Sequence, residues 1–204
     1  MSIRFHNWDD FERSYLLLWD DADSGVTHNN LMESAAMMKY LAWVFQQLQA
    51  DRQQKFAFTP VDYLSYGTRD IPRLSWFGAA NPDTLLVPRC AQGHWTCYVV
   101  STLWANIVHY DPRRMKDHRL NDPEDEIFVQ VGDLLTQSAV QEFPNLADAE
   151  LELAGMQNFV NHWQPPRDYI NCGFFVASVL EQTMRGQTLQ NFNVNAFRRH
   201  VASI

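Results

Sequence analysis

The chain has 204 residues, 46% of them hydrophobic, enough to bury a core of ordinary domain size and too few for two comfortable domains. Its net charge of −8 and pI near 5.2 exclude nucleic-acid backbone binding as a main task, since that rests on clustered Lys and Arg, and suit a partner with a basic face. Three widely spaced cysteines, Cys90, Cys97 and Cys172, exclude a disulfide framework, so a reducing compartment is expected and one thiol is free to react.

The N-terminal stretch MSIRFHNWDDFERSYLLLWDD has no basic region leading into an apolar one, and its apolar run Leu16 to Trp19 is too short to cross a bilayer. A soluble protein with no membrane partner is expected, in cytoplasm or nucleus, including delivery into a host cell as an effector. From Thr27 as N-cap, the next run puts Leu31, Ala35, Met38, Ala42 and Phe45 on one helical face, with Met37, Leu41, Val44 and Leu48 beside it. This predicts a long central helix. TLLVP (84–88), HWTCYVVSTL (94–103) and NIVHY (106–110) are rich in β-branched and aromatic residues and read as adjacent strands.

Asp122 as N-cap and Pro123 at the first helical position open a helix running to about Val140. A short strand is expected near Asn158 to Trp163. From Cys172, Phe175, Val176, Val179 and Leu180 share a helical face that stops at Gly186, and a last short helix spans Val194 to Val201. With no repeat, linker or low-complexity tract, residues 1–204 read as one domain. The fold class is α+β, with a mostly antiparallel central sheet flanked by helices.

Chemistry concentrates around YINCGFFV (169–176). A cysteine in the first turn of a helix meets unpaired N–H groups and the positive end of the helix dipole, which favour its thiolate. Gly173 leaves room for a backbone to approach. His94 on one predicted strand and Asp111 just past the next supply a base and its orienter, and Gln164 supplies an amide donor for an oxyanion. Cys90, His94 and Cys97 also suggest zinc by type, but the odd spacing of His94 and Cys97 on a strand sends them to opposite faces, so no metal is expected.

GHW (93–95), HYD (109–111), a glutamine before the nucleophile and NCGFFV (171–176), in the order His, Asp, Gln, Cys, resemble the ubiquitin-like-protein-specific (SUMO-type) cysteine proteases, with their viral adenain-like and bacterial effector relatives. The likeness is strongest over residues 76–185. It implies that Cys172 attacks the scissile carbonyl, His94 moves the proton, Asp111 holds the imidazole, and Gln164 completes the oxyanion hole with the Cys172 N–H. It also implies that Trp95 roofs a channel admitting only a Gly-Gly tail. Two departures stand out. Gln164 lies eight residues before Cys172, farther than in typical members, and VTHNN (26–30) stands where many members carry Trp-Leu-Asn.

The resemblance therefore implies a monomeric thiol protease without cofactor. Its partners would be a ubiquitin-like modifier, SUMO first and ubiquitin second, and the protein conjugates of that modifier. The alternatives are an effector-type acyltransferase on the same triad and a non-catalytic modifier-binding module. The first would need a basic pocket, whereas this chain offers only Arg113–Arg114 and Arg198–Arg199 pairs; the second would have lost a triad member.

Overall fold

The computed structural model describes residues 3–5, 7–10, 32–61, 74–113, 123–153, 163–187 and 192–204. Along the chain run β1 (Ile3–Phe5), α1 (Ser34–Gln46), α2 (Ala50–Gln53), β2 (Phe56–Phe58), β3 (Ser75–Gly78), β4 (Thr84–Ala91), β5 (His94–Ser101) and β6 (Asn106–Tyr110). Then come α3 (Pro123–Val140), a 3-10 turn (Pro144–Asp148), β7 (Glu150–Leu153), α4 (Cys172–Arg185) and α5 (Val194–Val201). Among the described residues, seven strands form one sheet in the order β1-β3-β2-β4-β5-β6-β7.

The longest strands, β4 and β5, pair antiparallel along their whole length, and β5 continues antiparallel into β6. This meander is the antiparallel centre of the α+β fold. Parallel pairs lie outside it, β2 with β4, β1 with β3 and β6 with β7, while β2 and β3 are antiparallel. Both faces of the centre are covered. Trp95 and Cys97 pack with α1 and α4 on one face, whereas Leu85, Val87, Tyr98, Val100 and Ile107 pack with Leu135, Ala139 and Leu146 on the other. A strand buried on both sides has no polar alternation to display, which is why LLV and CYVV read as continuous apolar runs.

Two elements depart from the sequence reading, the start of the first helix and an additional strand. The first helix begins at Ser34 rather than near Thr27, which lies outside the described residues; Glu33 is extended, with φ −86° and ψ 162°. The Met32 carbonyl, which an earlier start would turn to its own chain, accepts the Trp95 indole N–H at 2.9 Å. A tertiary bond therefore sets this end. The strand expected near Asn158 to Trp163 falls largely outside the described residues, and Trp163 itself is irregular. A strand that the sequence reading did not include forms at Glu150–Leu153, in parallel register with β6. Helices α3 and α5 and the α4 stop at Gly186 match the sequence reading.

Candidate active site

The site starts from a hairpin turn. Ala91 pairs with His94, leaving Gln92 and Gly93 as a two-residue loop, and both have positive φ, 52° and 74°. That is the primed turn whose twist matches a hairpin, and glycine adopts it without strain. It makes His94 the first residue of β5. In the neighbouring ladder Cys97 pairs with Tyr110, so one step further Asp111 stands opposite Thr96, on the face that His94 shares. The diagonal pair closes with His94 Nε2 and Asp111 Oδ1 2.8 Å apart. The same carboxylate oxygen accepts the Arg113 N–H at 2.9 Å, fixing its direction.

With Nε2 committed to Asp111, Nδ1 is the imidazole nitrogen left for chemistry; it is buried and makes no hydrogen bond of regular geometry among the described residues. Cys172, the first residue of α4, is 1% exposed, and its thiol contacts the Gly93 carbonyl at 4.0 Å, so the hairpin turn that places His94 also touches Cys172. Burial by itself would push this thiol up. The His94 imidazole and the Trp95 backbone N–H outweigh burial and hold it below the usual thiol range. Burial likewise opposes the charged imidazole, yet Asp111 and the neighbouring thiol raise His94 to about 9.

Asp111 completes the set. Burial would lift its carboxyl, but the bond to His94 and the Arg113 N–H lower it. All three shifts run in the same sense, toward a thiolate beside an imidazolium that a carboxylate holds. Cys97 behaves oppositely: it is fully buried, and burial drives its thiol upward, as for an inert core cysteine. Cys90 is half-buried on β4, opposite Trp95. Among the described residues no His, Cys, Asp or Glu group forms a metal-holding cluster.

Gly173 follows the nucleophile against Trp95. A Cβ there would lie 2.7 Å from the Met32 Cβ and 3.1 Å from Cδ1 and Nε1 of the indole. The space left by the missing side chain is thus filled by Met32 and Trp95, and the indole is buried beside the catalytic helix. Gly173→Ala should cost about 1–3 kcal/mol by overpacking and push Trp95 away from Met32. Thermal unfolding together with indole fluorescence checks this; an unchanged Tm and spectrum would show that the contact yields freely.

Gln164 reaches the same end of the sheet. Its backbone N–H donates to the Pro112 carbonyl at 2.8 Å, and the Trp163 ring packs on Tyr110 at 6.0 Å, beside Asp111. The stretch between Gln164 and Cys172 turns tightly: the Asp168 N–H donates to the Pro165 carbonyl at 3.0 Å, and Arg167 has φ 74°. Pro166 followed by a positive φ is the pattern of a type II turn, which absorbs the long spacing. The Gln164 side chain is 3% exposed, and its Nε2 donates to the Asp168 carbonyl. Sequence reasoning missed Asp168, Asn171 and Arg198, which organise this turn. The available signal was an Asp three residues before an Asn, a pattern that bonds its own backbone.

Residues 23–204 match the family described as Ulp1 protease family, C-terminal catalytic domain. The chain belongs to the Ulp1 protease family. No curated protein matches it at the sequence level. Solved structures share the Ulp1 fold at low identity. The SUMO protease Ulp1 with its catalytic cysteine oxidised to a sulfenic acid is 12% identical with a TM-score of 0.62, over 90% of this chain and 80% of that one. The C-terminal Ulp1 protease domain in complex with Smt3, the yeast ortholog of SUMO, is 13% identical with a TM-score of 0.59, over 87% and 77%. The Chaetomium thermophilum Ulp1-like SUMO protease catalytic domain is 14% identical with a TM-score of 0.56, over 88% and 73%.

As a Ulp1-family member the chain is a cysteine protease. Two of its cysteines differ accordingly: the thiol of Cys172, at a helix start beside an imidazole, is lowered, and that of Cys97, inside the sheet, is raised.

Proposed function

We propose that this Ulp1-family protease cleaves after the C-terminal Gly-Gly of a ubiquitin-like modifier, SUMO-like first and ubiquitin second, freeing it from a target lysine or trimming its precursor. The observation that carries the chemistry is the 2.8 Å His94–Asp111 pair, set by the hairpin turn that also contacts the Cys172 thiol. The choice of modifier draws support from a related fold solved with the yeast ortholog of SUMO.

In this reading the Cys172 thiolate adds to the scissile carbonyl, and the C=O electron pair moves onto oxygen. The imidazolium of His94 then gives its Nδ1 proton to the departing amine as the C–N bond breaks, leaving a thioester on Sγ. Water next attacks the thioester, His94 takes the water proton, and the thiolate leaves with the modifier carboxylate formed. Asp111 keeps the ring oriented and stabilises its charge throughout. The Gln164 amide and the Cys172 N–H hold the transient oxyanion, and Trp95, seated against Gly173, walls the entry for the tail.

A donor that meets the oxygen only in the tetrahedral geometry lowers the barrier without tightening the ground state. Gln164→Ala should therefore reduce kcat by about 10²–10³-fold with KM nearly unchanged. A kcat within about threefold of the parent would make Gln164 a loop residue. Specificity is tested by kcat/KM for SUMO and ubiquitin precursors ending in Gly-Gly, against the same precursors with the penultimate glycine changed to alanine. Preference for the SUMO Gly-Gly tail supports the proposal; equal cleavage of both tails removes the narrow entry, and ubiquitin preference reverses the order of modifiers.

A further inference from the structure

Asp168 sits at the centre of the turn between Gln164 and the nucleophile. Its backbone carbonyl accepts the Gln164 Nε2, which also lies 3.4 Å from Oδ1. Oδ1 accepts the backbone N–H groups of Ile170 and Asn171, both at 3.2 Å, and Oδ2 accepts the Asn171 side-chain amide at 2.7 Å. The other end of that amide, Asn171 Oδ1, accepts from Arg198 of α5 at 3.0 Å, and the Arg198 guanidinium lies 5.1 Å over the Phe174 ring.

An asparagine amide has one donating end and one accepting end. Here a carboxylate demands the donor and a guanidinium demands the acceptor, so the orientation of Asn171 is fixed from both sides. Reversing it would set donor against donor and acceptor against acceptor. Gln164 is held from one side only: its Oε1 is buried with no partner among the described residues, so Asp168 alone sets the rotation of this amide. One Nε2 hydrogen is spent on Asp168. The other remains for a developing oxyanion.

We propose that Asp168 is a positioning residue of the reaction: locked by Asn171 and Arg198, it aims the Gln164 amide at the oxyanion formed on attack by Cys172. This rests on the reading of Gln164 as an oxyanion donor. An amide left free to turn is a donor in the wrong place, and misplacement of about 1 Å costs up to about 10²-fold.

The test is a kinetic cycle of Asp168→Ala, Gln164→Ala and the double variant on a SUMO precursor, with Asp168→Asn as the milder change. Asn at this position keeps an acceptor for the backbone N–H groups but turns a donor toward the Asn171 amide. Asp168→Ala should lower kcat by about 10–10²-fold with KM within twofold, and Asp168→Asn by less. Adding Asp168→Ala to Gln164→Ala should cost no more than about threefold, because the amide it aims is already gone. Thermal unfolding and capture by a modifier bearing a C-terminal electrophile should stay near parental, since capture needs Cys172 but no oxyanion donor. If Asp168→Ala does not fold, Asp168→Asn carries the same cycle.

Losses that multiply in the double variant, or a loss confined to KM, would overturn the proposal. Full activity of Asp168→Ala beside an impaired Gln164→Ala would overturn it alone and leave Gln164 in place. A fully active Gln164→Ala would instead remove the Gln164 reading, and the proposal with it.

Discussion

Cys172→Ala is expected to lower turnover by about 10⁴-fold or more with the fold intact. In the proposed mechanism the Cys172 thiolate is the bond-forming group, and Cys97 is no substitute for it, being buried in the sheet with its thiol driven upward. The volume removed is small and lies at a helix start, so thermal unfolding should move by only a few degrees. Cys90→Ala should stay active, and Cys97→Ala should lose stability by about 1 kcal/mol while retaining the chemistry. Cleavage of a modifier precursor by each variant, beside its melting curve, checks all three. Substantial turnover by Cys172→Ala would overturn the assignment of the nucleophile.

Asp111→Asn is expected to lower kcat/KM by about 10²–10⁴-fold and to move the alkaline limb of the pH profile. In the parent, His94 is raised to about 9, chiefly through its bond to Asp111 working against burial, while the Cys172 thiol is lowered. The active ion pair therefore forms above the lowered thiol value. It is lost as pH rises through about 9, where the imidazolium that protonates the leaving amine disappears. Such limbs belong to the thiol–imidazole couple rather than to either group. Without the carboxylate, only the neighbouring thiol opposes the effect of burial on His94, so the alkaline limb should fall below 9 and the plateau narrow. A profile of Asp111→Asn that keeps its alkaline limb near 9 would show that another group supports the imidazolium.

The residues of the triad were legible because each sits in a strong local pattern. β5 and β6 are continuous β-branched and aromatic runs, so the ends carrying His94 and Asp111 could be placed together, and the structure joins them at 2.8 Å. The apolar face beginning at Cys172 likewise announced α4. What could not be read depends on distant partners. β1, β2 and β3 have three or four residues each, too few to show a period, and exist through their neighbours in the sheet. The ELEL alternation of β7 has a period of two, but four residues with two charges are too short a signal to mark a strand. The α1 start was misread because a Trp95 indole, sixty-three residues away, claims the Met32 carbonyl. The spacing of Gln164 is absorbed by the turn at Pro165–Asp168, for which the sequence offers the two prolines and the Asp168–Asn171 pattern but not the bond from Gln164 that closes it.

The proposed function requires that Cys172, activated by His94 and Asp111, engage the C-terminus of a ubiquitin-like modifier. Its most direct test is incubation of the protein with SUMO and with ubiquitin, each bearing a C-terminal electrophile, followed by intact-mass measurement and peptide mapping of the adduct. One modifier should attach per chain, faster for SUMO, with the cross-link on Cys172 and none formed by His94→Ala at neutral pH. An adduct on Cys90 or Cys97, or no adduct with either modifier from a protein that melts cooperatively, would contradict it.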